Sequence, residues 1–212
     1  MEIEIKFRLL DKLQYQKLIQ FLGGKPIQKH FQNNFYLTDN LDLLKKNKGA
    51  LRFRFWDEKC LITLKAGHTI KDGIGTCEEI EDFVDLKEAN NFMNNLRNSK
   101  EFQKIPKLFD NLKVFQRIQK DFPEITGWKL LGNFSNVRKV FNWKNNLHIE
   151  VDKTKYDFGI GYELELEIQG VEKNEERDKI KEDLINDLKR NEILFQPTKS
   201  TKLANFINKK ID

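Results

Sequence analysis

The sequence predicts an α+β fold: a closed β-barrel with a charged interior and helices packed outside. Three observations predict it. Strand-like segments recur from end to end of the 212 residues, each with charged residues at alternate positions. The positions between them are hydrophobic, so each strand has one charged and one apolar face. Amphipathic helical segments lie between the strands and need an apolar surface to cover. If helices take the apolar faces, the charged faces turn inward together, and a barrel around water satisfies both demands. Taken singly, each strand also fits an antiparallel sheet with one face in water.

The first strand runs from Met1 to Leu9, with Glu2, Glu4, Lys6 and Arg8 against Ile3, Ile5, Phe7 and Leu9. A helix over Asp11 to Leu22 places Leu13, Leu18, Ile19 and Leu22 near one face and closes at Gly23-Gly24. Ala50 to Trp56 sets Arg52 and Arg54 against Leu51, Phe53 and Phe55, and Cys60 to Ala66 sets Thr63 and Lys65 against Ile62 and Leu64. Gly67 to Gly75 reads as a hairpin connection. Glu79 and Glu81 follow it, though Glu78 beside them leaves open which parity faces inward.

Leu86 to Phe122 reads as helices interrupted near Pro106 and ended by Pro123. Val137 to Trp143 is a strand carrying Arg138. Leu147 to Asp152 alternates Leu147, Ile149 and Val151 with His148, Glu150 and Asp152, and Tyr162 to Ile168 alternates Glu163, Glu165 and Glu167 with Leu164, Leu166 and Ile168. Glu172 to Ile193 has Ile180, Leu184, Ile185 and Leu188 at helical spacing, and Thr198 to Ile207 forms a short last helix or an irregular tail. No solenoid repeat or low-complexity linker breaks the series, which reads as one domain, 1–212.

Composition narrows the function. Thirty-eight Lys and Arg face 33 Asp and Glu, a net charge of +5, but acids and bases are intermixed within the same short segments. A nucleic-acid binder more often has a basic stripe free of acids, so no nucleic-acid partner is expected. Seventeen Phe and three Trp argue against disorder. No apolar run approaches the roughly 20 residues of a membrane span, and the start lacks the apolar stretch of a signal peptide. A cytoplasmic monomer with no membrane partner is the expectation. Cys60 and Cys77 are too few for a disulfide framework, and Cys60 shares the parity of Ile62 and Leu64, as a buried structural thiol would. His30, His68 and His148 are isolated, although His148 shares the parity of Glu150. Asp157-Phe158-Gly159 reads as a turn.

A charged interior must neutralise itself or be neutralised by ligand. The candidate inward bases are Lys6, Arg52, Arg54, Lys65 and Arg138, with Arg8 and Lys202. The candidate acids are Glu2, Glu4, Glu79, Glu81, Glu150, Asp152, Glu163 and Glu165. Guanidinium and ammonium groups suit a phosphate chain, and carboxylates suit a hard divalent cation such as Mg²⁺ or Mn²⁺. A polyphosphate carrying a divalent metal uses both sets.

The pattern also resembles a known family. Glu2-Ile3-Glu4-Ile5-Lys6 is similar to the ExExK signature of the CYTH superfamily, the triphosphate tunnel metalloenzymes. The resemblance continues in order through LRFRF (Arg52, Arg54), ITLKA (Lys65), EEIE (Glu79, Glu81), NVRKVF (Arg138), LHIEVDKTKYDFGIGYELELE and STKLANF (Lys202). It implies an eight-stranded antiparallel barrel forming a tunnel, with helices outside. It implies phosphate contacts from Lys6, Arg52, Arg54, Lys65, Arg138 and Lys202. It further implies metal coordination by Glu2, Glu4, Glu163 and Glu165, with Glu81, Glu150 and Asp152 near a second metal or the attacking water. Lys6, Asp152 and Lys202 are the catalytic candidates.

The expected activity is metal-dependent hydrolysis of a small-molecule triphosphate, foremost inorganic tripolyphosphate to pyrophosphate and phosphate. The small single-domain tripolyphosphatases are the most similar members, with thiamine triphosphatases next. A CYTH-type adenylyl cyclase is the rival enzyme and needs a nucleoside pocket. A non-catalytic polyphosphate binder has no use for the matched carboxylates.

Overall fold

The computed structural model describes residues 2–168 and 174–211; the side chains of Glu2 and Asn145 lie outside that description. In chain order the described elements are β1 (Glu2–Leu9), α1 (Lys12–Phe21), β2 (Gln28–Asp39), α2 (Leu43–Lys46), β3 (Ala50–Trp56), β4 (Lys59–Lys71), β5 (Ile74–Val84) and α3 (Leu86–Asn98). They continue with α4 (Lys113–Asp121), β6 (Trp128–Asn142), β7 (His148–Lys155), β8 (Ile160–Ile168), α5 (Asn174–Arg190), β9 (Phe195–Pro197) and α6 (Lys202–Asn208). The strand order is β5-β4-β3-β2-β6-β7-β8-β1-β9, and β5 also pairs with β1. The hydrogen-bond order therefore closes through β1 to β8 as an eight-stranded antiparallel barrel with β9 added. No described helix is long and apolar enough to cross a membrane.

The chain divides into two compact units, each assembled from separated segments. The first comprises residues 1–31, 69–76 and 135–212, and the second residues 32–68 and 77–134.

In the first unit, Ile5, Phe7 and Leu9 of β1, Ile149 and Val151 of β7, and Leu164, Leu166 and Ile168 of β8 form one apolar face. Leu18 of α1 and Leu184 and Leu188 of α5 are buried in the same cluster. Asp11 caps α1, accepting a hydrogen bond from Gln14 N at 2.9 Å. Tyr15 and Leu18 take the buried side of that helix, whereas Leu13, expected on it, is exposed. The helix expected over 172–193 is α5, ending at Arg190, and residues 172 and 173 lie outside the described part.

In the second unit, Phe35 and Leu37 of β2, Leu51 and Phe53 of β3, and Cys60, Ile62 and Leu64 of β4 make the apolar face, covered by Phe92, Met93 and Leu96 of α3 and Phe115 and Ile118 of α4. Phe109, in the 3₁₀ turn after Pro106, is fully buried, with its ring about equally far from Phe92 and Phe115 at 6.0 Å. The expected interruption near Pro106 thus delivers the residue that joins the two helices. Cys60 is fully buried, and burial pushes its thiol up to about 12, as a structural cysteine requires. β2 is absent from the expectations above. Gln32 and Asn34 stand where the other strands carry charges, and both are buried.

The hairpin connection expected over Gly67 to Gly75 is present, but shorter than that span. β4 continues to Lys71 and β5 begins at Ile74, leaving a two-residue turn, Asp72-Gly73, with φ 51° and 76°. Two left-handed residues match the twist of a tight hairpin. Gly73 O accepts from Lys6 N at 2.7 Å, and Lys6 O accepts from Thr198 N at 3.1 Å. A side chain at Gly73 would begin 2.9 Å from the Lys6 carbonyl oxygen and 3.2 Å from Pro197 Cβ. Gly73→Ala combines a left-handed φ with backbone overlap. It is expected to destabilise the protein by roughly 1–3 kcal/mol, read as a Tm several degrees lower in a circular-dichroism melt. An unchanged Tm would contradict this account of the turn.

Candidate functional site

The first unit collects charge on the strand faces turned away from its apolar core. β1 brings Glu4 and Lys6, β6 Arg138, β7 Glu150 and Asp152, and β8 Glu163 and Glu165. Antiparallel register sets them in rows: Lys6 lies opposite Glu165, which lies opposite Glu150; Arg8 lies opposite Glu163, then Asp152, then Arg138. Lys202, the first residue of α6, enters from outside the sheet. Thr201 caps that helix by accepting from Ala204 N at 2.9 Å, and Tyr156 Oη donates to the Lys202 carbonyl at 3.3 Å.

Each cation is shared. Lys6 Nζ lies 2.5 Å from Glu4 Oε2 and 3.2 Å from Glu165 Oε1. Arg138 grips Asp152 with two hydrogen bonds, at 2.9 and 2.7 Å, donates to Glu165 at 2.6 Å and pairs with Glu150. Lys202 Nζ lies 2.9 Å from Asp152 and Glu163 and 2.5 Å from Glu165. Arg8, by contrast, donates to the Ile211 carbonyl at 2.9 Å. The cluster holds three cations and five carboxylates, a formal excess of two negative charges among the described side chains. Glu163 Oε2 has the Lys202 ion pair but no aligned hydrogen bond, although it is buried.

Burial alone would neutralise these groups, and the neighbouring charges reverse that effect. Burial raises the Asp152 pKa, but Arg138 and Lys202 outweigh it and hold the carboxyl at about 2. Glu165 is driven well below the carboxylate range against burial, by Lys202, Lys6 and Arg138. Burial opposes the charge on Lys6 and on Lys202, and the carboxylates around each keep it protonated well above the usual range.

The second unit carries the opposite surplus. Its charged face holds Arg52 and Arg54 of β3, Thr63 and Lys65 of β4, and Glu79 and Glu81 of β5. Arg52 Nη2 donates to Thr63 Oγ1 at 3.0 Å, which donates to Glu81 Oε1 at 2.8 Å; Arg54 Nε donates to Asn34 Oδ1 at 2.9 Å. Lys65 pairs with Glu79, which also accepts from Cys77 Sγ at 3.6 Å. Arg52 is 6% exposed, and its Nε has no hydrogen-bond partner. The parity of β5 is now settled. Glu79 and Glu81 share the charged face, whereas Glu78 binds Arg117 of α4 and Asp82 accepts from Val114 N at the start of that helix.

The structure thus gathers Glu4, Lys6, Arg138, Glu150, Asp152, Glu163, Glu165 and Lys202 in one cluster and Arg52, Arg54, Lys65, Glu79 and Glu81 in another. Glu2 belongs to β1, but its side chain is outside the described part. Asn34, Thr63 and Cys77 join the second cluster without having been singled out; of these, Thr63 was recoverable from its parity with Lys65. His148 is exposed and takes no place beside Glu150. Carboxylates are the donors that Mg²⁺ or Mn²⁺ prefers, and the buried Glu163 oxygen without a hydrogen bond adds a free lone pair. As arranged here, the carboxylates turn onto ammonium and guanidinium groups, and no three His, Cys, Asp or Glu side chains among the described residues are grouped to hold a metal.

Known proteins share this chain's fold and sequence. A candidate adenylyl cyclase from Hippeastrum, with a dominant triphosphatase activity, is 28% identical and superposes with a TM-score of 0.89, over 100% of this chain and 98% of its own. A candidate adenylate cyclase from Methanocaldococcus jannaschii is 27% identical over 188 residues, covering 89% of this chain and 87% of its own. A Bacillus halodurans structure, 23% identical with a TM-score of 0.70 and 97% of both chains covered, shares the fold. The CYTH domain profile matches residues 1–202, and the chain belongs to the CYTH domain family.

Proposed function

We propose that this protein is a divalent-metal-dependent triphosphatase that cleaves a phosphoanhydride bond of a small-molecule triphosphate, tripolyphosphate being the smallest compound with the recognised group. The observation that carries the reading is the segregation of charge. One buried cluster has carboxylates in excess over its cations, and the other has Arg52, Arg54 and Lys65 in excess over Glu79 and Glu81. The dominant triphosphatase activity of the Hippeastrum relative supports it.

Arg52, Arg54 and Lys65 bind phosphate oxygens, and the unsatisfied Arg52 Nε is a donor held ready for one. Glu4, Glu163 and Glu165 would hold Mg²⁺ or Mn²⁺, with Glu150 as a further oxygen donor. The ion would neutralise phosphate charge and polarise the phosphoryl group. Lys6, Arg138 and Lys202 remain protonated and offset charge on the transferring phosphoryl group and on the leaving pyrophosphate. Water attacks the terminal phosphorus as the bridging P–O bond breaks; the leaving pyrophosphate keeps the electron pair, the transferred group departs as phosphate, and the proton lost by the water passes to solvent. Asp152, ionised down to about pH 2, accepts a hydrogen bond from that water and aligns it.

Phosphate release from tripolyphosphate, thiamine triphosphate and ATP, measured in parallel with Mg²⁺, Mn²⁺ or chelator, should be metal-dependent. Conversion of ATP to a cyclic product without phosphate release would favour the cyclase. Glu4→Gln should lower turnover by about 100-fold or more with a native circular-dichroism spectrum; full activity would remove Glu4 from the site.

The electrostatics also fix a pH dependence. Because the Asp152 pKa is depressed on folding, its contribution is present above about pH 4 and lost as pH falls toward 2. The metal-free protein should lose roughly 2 kcal/mol through this one group across that window. Melts of the wild type and Asp152→Asn should therefore converge as the pH drops, and parallel curves would refute the assignment.

A further inference from the structure

The charged face of the second unit does not stay charged along its length. In β3, Trp56 has the parity of Arg52 and Arg54; in β5, Phe83 has the parity of Glu79 and Glu81. The two rings meet with centroids 5.9 Å apart at 49°. The register places Leu61 opposite Arg54 and Lys59 opposite Trp56. Phe83 is 64% exposed, although the apolar core of this unit lies on the other face of the sheet. Its neighbour Asp82 points to α4, so Phe83 turns away from that helix. One end of the face is Lys65 with Glu79, the middle is Arg52 and Arg54, and the other end is an aromatic ledge of Trp56 and Phe83.

We infer that Trp56 and Phe83 are specificity-determining residues, a stacking surface for a planar heteroaromatic group esterified to the triphosphate. The inference rests on the triphosphatase reading and deepens it, since bare tripolyphosphate has nothing to place there. Trp56 lies two residues beyond Arg54, about 7 Å along the strand. A phosphate chain on the two arginines thus has its esterified end beside the half-buried Trp56 ring and the exposed Phe83 that meets it. Toward the Lys65 end the face continues with Gly67 and Cys77, and its other aromatic pair, Phe134 and the Tyr36 that lies opposite Arg52, is buried with the two rings stacked on each other, 5.4 Å between centroids. Ring faces stack on any planar base or heterocycle, which fits nucleoside and thiamine-type triphosphates alike.

The test is steady-state kinetics on ATP, thiamine triphosphate and tripolyphosphate with Trp56→Ala, Phe83→Ala and Trp56→Phe. Phe102→Ala, an exposed ring under Lys129 elsewhere in the unit, is the control. Trp56→Ala and Phe83→Ala should raise KM about tenfold for whichever organic triphosphate is the substrate while leaving KM for tripolyphosphate unchanged. Trp56→Phe should restore most of the loss, and the arm that responds, ATP or thiamine triphosphate, identifies the ring. Equal effects on all three compounds, or none on any, would overturn the ledge while leaving the triphosphatase standing. No phosphate release from any compound by the wild type would instead remove the triphosphatase reading and the ledge with it.

Discussion

Carboxylates held out of water repel one another, and the first unit can keep five of them together only because three cations stand among them. Lys202 touches Asp152, Glu163 and Glu165; Arg138 touches Glu150, Asp152 and Glu165; Lys6 touches Glu4 and Glu165. Glu165 is common to all three. Removing a single partner would strand a buried charge, which is more costly than never having buried the pair. That constraint explains the architecture around it. Arg138, Asp152 and Glu163 occupy one register row, and a one-residue slip of any strand would turn its charges onto the apolar face.

The apolar faces supply the counterweight. Each unit buries its own hydrophobic cluster under its own helices, α1 and α5 in the first and α3 and α4 in the second. Strong packing on one side of every strand fixes backbone positions well enough for the polar side to be built to ångström tolerance. The same arrangement frees the polar side from contributing much net stability. A cluster with excess charge therefore persists in a protein whose cores lie elsewhere.

Much of this was legible in the residues, because a strand with period-two charge states both its secondary structure and the chemistry of its face. The ion-pair partners Lys6, Arg138, Asp152, Glu163 and Glu165 could all be named from parity. Lys202 stands among the inward bases without a strand parity to place it, since nothing in a lysine at the start of a short helix says that the helix aims into a carboxylate cluster; the family resemblance gave it a role. β2 was missed for a related reason. Its polar face is built of Gln32 and Asn34, amides that solvate charged neighbours without carrying charge, so a search for alternating ions passed over it. Leu13 was assigned to the buried side of α1 on hydrophobicity alone, but Tyr15 and Gln14 fit the space beside β8 and β9 better. The turn at Asp72-Gly73 was read too long because Gly67 has a left-handed φ inside β4, a glycine that bends a strand without ending it.

The order in which the chain emerges during synthesis matters for the carboxylate cluster. Lys6 pairs with Glu165, 159 residues later, and the ammonium that touches three of the acids comes later still, at Lys202. At ribosomal rates β1 waits roughly 10–30 s for its partner β8. During that wait its β8-facing edge is open even after its other partner, β5, has emerged, and an open edge is the kind that recruits other chains. Glu4, Lys6 and Arg8 on alternate positions make that edge a poor template for aggregation. Such long-range closure slows folding.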